Sequence, residues 1–188
     1  MDVKMKMNVI VLVALKEETP TLQSEPNVFF TGVGKINAAH VATKVILEHK
    51  PNLVINYGTA GAIDTPLKGK LVEVSKFVQR DMDCGPLGFE KYVTPYEESS
   101  LYIGEGNLIC GSGDSFVTDK HSNGGANIVD MEAYALAKVC GELGVSFRCF
   151  KYMSDEADEN ASSDWKEFAS MGEHLFLERL DEEKLSWM

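Results

Sequence analysis

The sequence predicts an α/β layered domain built on a largely parallel sheet. Short apolar runs rich in β-branched residues alternate with segments of helical period. Several of those runs are apolar throughout, the pattern of strands buried on both faces. Strand–helix–strand alternation then argues for a sheet layered with helices rather than for separate all-α or all-β units. At 188 residues the chain has the length of one domain, spanning 1–188. Apolar residues at 44% and charged residues at 25% supply a core large enough to exclude disorder and disulfide-dependent mini-folds.

Val9–Ala14 is the first expected strand. The apolar run Val9–Leu15 is too short to span a membrane and has no cleavage region. It leads straight into Lys16-Glu17-Glu18, so a buried strand is expected here and not a targeting segment. Val28–Thr31 is the second strand. Ala38, Val41, Ala42 and Val45 recur at i, i+3, i+4, i+7 and mark a helix over 36–49, which Pro51 stops. Further strands are expected at Leu53–Tyr57, Leu71–Gln79, Leu101–Gly111 and Phe147–Met153. A second helix carries Ala133, Leu136, Ala137 and Cys140 at helical spacing and ends near Gly144. A third places Trp165, Phe168, Gly172, Leu175 and Phe176 on one face. The Gly/Ser/Asn-rich segment 119–127 is expected to be a surface loop.

Charge and cysteine usage narrow the function classes. Eighteen basic against twenty-nine acidic residues give −11, a surface that repels phosphate backbones and anionic lipid. No basic cluster offsets it, so neither nucleic acid nor a membrane is an expected partner. Cys84, Cys110, Cys140 and Cys149 have no CxxC spacing and are expected to be reduced thiols of a cytoplasmic protein. His40, His49, His121 and His174 are scattered without ligand spacing, which argues against a zinc site. No Gly-x-Ser-x-Gly elbow is present, which argues against the common α/β serine hydrolases.

Ligands of open α/β sheets sit at the carboxyl ends of strands. Those ends hold Ala14-Leu-Lys-Glu-Glu18, Thr31-Gly-Val-Gly-Lys35, Asn56-Tyr-Gly-Thr-Ala-Gly61, Gly111-Ser-Gly-Asp-Ser-Phe116 and Tyr152-Met-Ser-Asp-Glu-Ala-Asp158. Taken alone, each has a structural explanation. Glu17 and Glu18 suit a solvated strand end, Asp155 and Asp158 suit helix caps, and Asp130 and Glu132 suit the first turn of a helix. Thr31-Gly-Val-Gly-Lys35 fails as a dinucleotide fingerprint, because Asn37 stands where the third glycine is needed. It fails as a P-loop because of Phe29.

In order along the chain stand Ala-Leu-Lys-Glu-Glu at 14–18, Thr-Gly-Val-Gly-Lys-Ile-Asn-Ala-Ala at 31–39 and Asn-Tyr-Gly-Thr-Ala-Gly at 56–61. Ser-Gly-Asp-Ser-Phe-Val at 112–117, Val-Asp-Met-Glu-Ala at 129–133 and Met-Ser-Asp-Glu-Ala-Asp at 153–158 follow. Together they resemble the nucleoside phosphorylase/nucleosidase superfamily of the purine/uridine phosphorylase type, most closely its 5′-methylthioadenosine/S-adenosylhomocysteine nucleosidases. The resemblance covers nearly the whole chain, in a shortened form. It implies a three-layer α/β/α fold with a central mixed, largely parallel sheet, and cleavage of the N-glycosidic bond of a purine nucleoside without cofactor or metal. By the same resemblance, Asp155 protonates the leaving base and Ser154 orients it. Glu132 holds the ribose hydroxyls, Met131 packs on the sugar, and Glu18 activates the attacking water. Phe116 stacks on the purine and the Val117 backbone bonds its edge. Val33, Thr59 and Trp165 complete the expected binding set.

Hydrolysis and phosphorolysis share this fold and base site, and the nucleophile pocket separates them. The family phosphorylases hold phosphate with an arginine where this chain has Asn56. The chain's three arginines, Arg80, Arg148 and Arg179, fall in none of the matching motifs. Glu18 repels phosphate and suits water, so hydrolysis is the expected reaction. A phosphorylase and a non-catalytic nucleoside-binding module are the alternatives. The segment Arg80–Glu90 resembles the one that crosses a homodimer interface in the nucleosidases. That match implies Leu87, Phe89 and Pro95 as partner-supplied contacts to a 5′-alkylthio group.

Overall fold

The computed structural model describes residues 8–63, 65–97, 101–103, 106–118 and 123–183. Strand β1 (Val9–Val13) shows how the sequence sets the layering: all five side chains are buried, and they alternate between two cores. Ile10 and Leu12 face α1 (Lys35–His49) and α2 (Ala133–Glu142). Val9, Val11 and Val13 face α4 (Glu173–Glu182). Helices therefore cover both faces of one mixed sheet, giving the three-layer α/β/α arrangement expected from the sequence.

Beside β1 lie β2 (Val28–Phe30) and β3 (Leu53–Ala62), both parallel to it. β3 runs ten residues, well past the predicted Tyr57, and is the hinge of the sheet. Its first half pairs with β1, its last two residues pair antiparallel with β8 (Ile128–Asp130), and its other edge runs parallel to β9 (Ser146–Asp155). The predicted strand Leu71–Gln79 is two strands. β4 (Leu71–Val74) pairs antiparallel with β9, and after Ser75 the chain changes partners, so that β5 (Lys76–Gln79) pairs parallel with β7 (Ile109–Ser112). The predicted run Leu101–Gly111 likewise divides into β6 (Leu101–Tyr102) and β7, with β6 antiparallel to β5. β7 pairs parallel with β8, a strand of three residues that periodicity did not predict.

The predicted third helix is also divided. α3 (Ala161–Phe168) and α4 are separated by a tighter 3-10 turn at Ala169–Gly172. There Gly172 packs directly against the Tyr152 ring, a contact that leaves no room for a side chain. α4 can then lay Phe176 parallel to Tyr57, with ring centroids 4.4 Å apart. Of the predicted loop 119–127, residues 119–122 lie outside the described residues, and Gly124 and Gly125 form a turn with positive φ.

Candidate active site

The carboxyl ends of β1, β3, β8 and β9 surround a cavity of about 240 Å³. Its walls carry nine of the predicted site residues: Glu18, Val33, Thr59, Phe116, Val117, Met131, Glu132, Asp155 and Trp165. Ser154 stands behind the wall. Its hydroxyl donates to Asp155 Oδ2 at 2.9 Å. Leu87, Phe89 and Pro95 lie outside the cavity. Leu87 is 75% exposed, and Phe89 meets the Tyr96 ring edge-on.

Glu18 is buried at the end of the short turn after β1, in the first turn-sized gap the chain makes on leaving the sheet. Its Oε1 accepts from the Thr59 amide (2.7 Å) and the Thr59 hydroxyl (2.8 Å), and its Oε2 accepts from the Leu15 amide (3.0 Å). The Thr59 hydroxyl in turn accepts from Trp165 Nε1 at 2.8 Å. Trp165 is thus part of the wall that orients Glu18, a role helical periodicity alone does not reveal.

Asp155 ends β9 and is buried beside Gly61. A Cβ at Gly61 would fall 2.7 Å from Asp155 Oδ1, so only glycine admits the carboxyl here. The Ala157 amide donates to Oδ1 at 2.9 Å from a residue held at φ 51°, a left-handed conformation that costs energy for alanine. Asp155 is therefore no helix cap: α3 begins six residues on, after Asn160. Burial raises the Asp155 carboxyl above its ordinary value, against the opposing pull of the Ala157 and Ser154 hydrogen bonds.

Asp130 and Glu132 are not first-turn acids of one helix. Asp130 is the last residue of β8, and Glu132 is the residue before α2. Glu132 Oε1 accepts from the Gly34 amide at 2.8 Å. Burial and the neighbouring Asp130 charge push its carboxyl up to about 7. Asp130 accepts from the Ser112 hydroxyl (2.5 Å), the Ala133 amide (2.9 Å) and Lys151 Nζ (2.8 Å). Burial works against its charge, but the Lys151 ammonium and these donors outweigh it and hold the carboxyl below its ordinary value.

Two residues that sequence reasoning missed complete the electrostatics. Lys151 is only 1% exposed, and Asp130 first among its anionic neighbours keeps it charged against that burial. An added Cβ at Gly58 would lie 3.4 Å from Lys151 Nζ and 3.3 Å from Glu18 Oε1, so the two groups flank one bare stretch of backbone. The available signal was a lysine flanked by Phe150 and Tyr152 in a strand that is buried along most of its length. The second is Arg80, which falls in none of the matching motifs and yet lines the cavity. Its guanidinium donates to the carbonyls of Gly113 and Ser115 and to the Ser115 hydroxyl, so it braces the loop that carries Phe116. Asn56, at the position of the phosphorylase arginine, faces away from the cavity and donates to the Leu12 and Tyr57 carbonyls.

Fold and pocket together define a class, and residues 14–181 match the Phosphorylase superfamily. The chain belongs to that family. Within it, the chain is 33% identical over 182 residues to the 5′-methylthioadenosine/S-adenosylhomocysteine nucleosidase of Haemophilus influenzae, covering 80% of this chain and 79% of that one. It is 32% identical over 165 residues to the nucleosidase of the same name from Lysinibacillus sphaericus, covering 73% and 71%. The Helicobacter pylori nucleosidase bound to butyl-thio-DADMe-Immucillin-A shares the fold, with a TM-score of 0.85 at 23% identity over 96% of this chain and 100% of that one. The futalosine hydrolase of Helicobacter pylori shares it equally, with a TM-score of 0.85 at 23% identity over 95% and 99%.

Proposed function

We propose that the chain hydrolyses the N-glycosidic bond of a purine nucleoside, 5′-methylthioadenosine or a related 5′-substituted adenosine, and releases the free base. The observation that carries this reading is the placement of Glu18 and Asp155 against one strand, β3. Glu18 is bonded at Thr59 and Asp155 seated against Gly61, two residues apart or roughly 7 Å of strand, with Glu132 in the same wall. Asp155, whose carboxyl burial raises, donates a proton to the leaving purine, so the bond breaks with its electron pair on a neutral base. Glu132 holds the ribose hydroxyls while positive charge develops on the sugar. Glu18, fixed by three donors, takes a proton from the water that attacks the anomeric carbon. Phe116, 48% exposed at the cavity, offers an open ring face for the purine. Val117 supplies backbone to the purine's edge, and Met131 and Val33 pack on the sugar side.

The cavity's charge favours water over phosphate. Glu18, Asp130, Glu132 and Asp155 all line it, and Arg80 is its only cation among the described residues. A phosphate dianion needs paired donors, whereas Arg80 has committed its terminal nitrogens to Gly113 and Ser115. We read Leu87, Phe89 and Pro95 as contributions to the 5′ pocket of a partner in a homodimer. The buried thiols of Cys110, Cys140 and Cys149 are consistent with a cytoplasmic protein. Incubation with methylthioadenosine, with and without phosphate, tests the reaction. Free adenine in both is expected, and adenine release only with phosphate would make the chain a phosphorylase. Binding without any release would make it a nucleoside-binding module.

A further inference from the structure

Outside the cavity, three loops are tied together by a closed ring of charged contacts. Lys35 Nζ donates to Asp81 Oδ1 at 2.5 Å and to Gln79 Oε1 at 3.2 Å. Asp81 Oδ2 accepts from the Asp114 amide at 2.8 Å, and Asp114 Oδ1 accepts from the Lys35 amide at 2.8 Å. The ring therefore returns to the residue where it began. Each corner roots a loop that reaches the cavity: the loop of Val33 and Gly34 after β2, the Arg80 segment after β5, and the Phe116–Val117 loop after β7. The peptide next to Lys35 is the one whose amide, on Gly34, holds Glu132 Oε1. None of the three ring residues touches the cavity itself.

We propose that the Lys35–Asp81–Asp114 ring is a positioning device that fixes the purine-stacking loop relative to the sugar-holding Glu132, an assignment that rests on the function proposed above. The ring's cost and purpose fit that role better than stability. Its side chains are 16%, 31% and 46% exposed, in the regime where ion pairs add little to folding. Yet the ring is the link that makes the base side and the sugar side of the cavity one rigid unit. Displacements of about an ångström in such a unit cost substrate alignment, and with it kcat/KM, far more than folding. Asp155 and Glu18 hang from β9 and β1, which the ring does not touch, so its loss acts on substrate alignment and leaves the proton donor in place.

Lys35→Met and Asp81→Asn test it by two measurements. The first is amide exchange of the substrate-free protein. The amides of Gly34, Lys35 and Asp114 all donate to side-chain carboxylates, so their protection reports the ring directly. Joint loss of that protection in Lys35→Met, with the strands unchanged, is expected. Retained protection overturns the ring. The second is the split of KM against kcat for adenine release: KM rises roughly ten-fold while kcat falls less than about three-fold, and Lys35→Arg restores KM. A structural role alone would instead lower kcat through a smaller active fraction at unchanged KM. In an active enzyme, unchanged KM in Lys35→Met overturns the proposal whatever the exchange shows. If the unaltered protein releases no adenine from any nucleoside, the functional reading fails, and the exchange result alone decides whether the ring couples the loops.

Discussion

Asp155 and Glu132 are two carboxyl groups a few residues of sheet apart, and both are raised by burial, yet they are set up differently. Asp155 is held by the Ser154 hydroxyl and the Ala157 amide. Glu132 accepts a single amide and feels the charge of Asp130. Asp155→Asn keeps the shape and removes the proton, so turnover falls by about 10²–10⁴-fold while the fold stays intact, as measured by adenine release alongside circular dichroism. If Asp155 donates the proton as proposed, activity falls as pH rises and its raised carboxyl ionises, which a pH profile of adenine release checks. Glu132 carries a stability signature. Its folded value of about 7 lies above the ordinary 4.5, so the native state binds the extra proton between those limits. Its contribution is present below about pH 4.5 and lost as pH rises to about 7, and Glu132→Gln flattens that slope in urea titrations. Gly61→Ala places a methyl against Asp155 Oδ1 and is expected to abolish turnover. At this scale the sequence was informative where motifs carry the chemistry: Glu18, Glu132 and Asp155 all reach one cavity. Lys151 was not legible, because its partner Asp130 is twenty-one residues away and only strand pairing brings them together.

Elements were legible where period and length agree. α1, α2, β1 and β9 stand close to their predicted bounds, since the helices bury a periodic face and the strands are buried along nearly their whole length. β8 was not legible, because three residues are too few to show a period. The break at Ser75 was hidden for a different reason: Leu71–Gln79 has no glycine or proline to mark it, and the change of partner from β9 to β7 is a tertiary fact. The same holds for the split between α3 and α4, which the contact of Gly172 with Tyr152 imposes. Between β8 and β9 the buried Lys151–Asp130 pair is the strongest single prediction. Lys151→Met strands Asp130 without its cation and destabilises by about 3–5 kcal/mol, read from urea midpoints. Lys151→Met with Asp130→Asn removes both charges and recovers most of that loss.

At the scale of the whole molecule, charge and topology converge. The acidic balance of −11 is shared by the cavity, where four carboxyl groups face Arg80 and, behind the wall, Lys151. Arg80 was read from the sequence as outside every motif. The parallel pairing of β5 with β7 brings it against the Phe116 loop. Leu87, Phe89 and Pro95 stand apart from the cavity of their own chain, so a 5′ pocket that uses them needs a second copy. Phe89→Ala is therefore expected to raise KM for methylthioadenosine more than for adenosine, with sedimentation showing a dimer. In the proposed reaction, water activated at Glu18 takes the place of a base released by Asp155. The most direct measurement is turnover of methylthioadenosine in phosphate-free ¹⁸O-water, with mass analysis of the sugar product. One ¹⁸O at the anomeric position, lost together with adenine release in Asp155→Asn, is the result predicted. Adenine release without ¹⁸O in the sugar, or undiminished release by Asp155→Asn, contradicts the account.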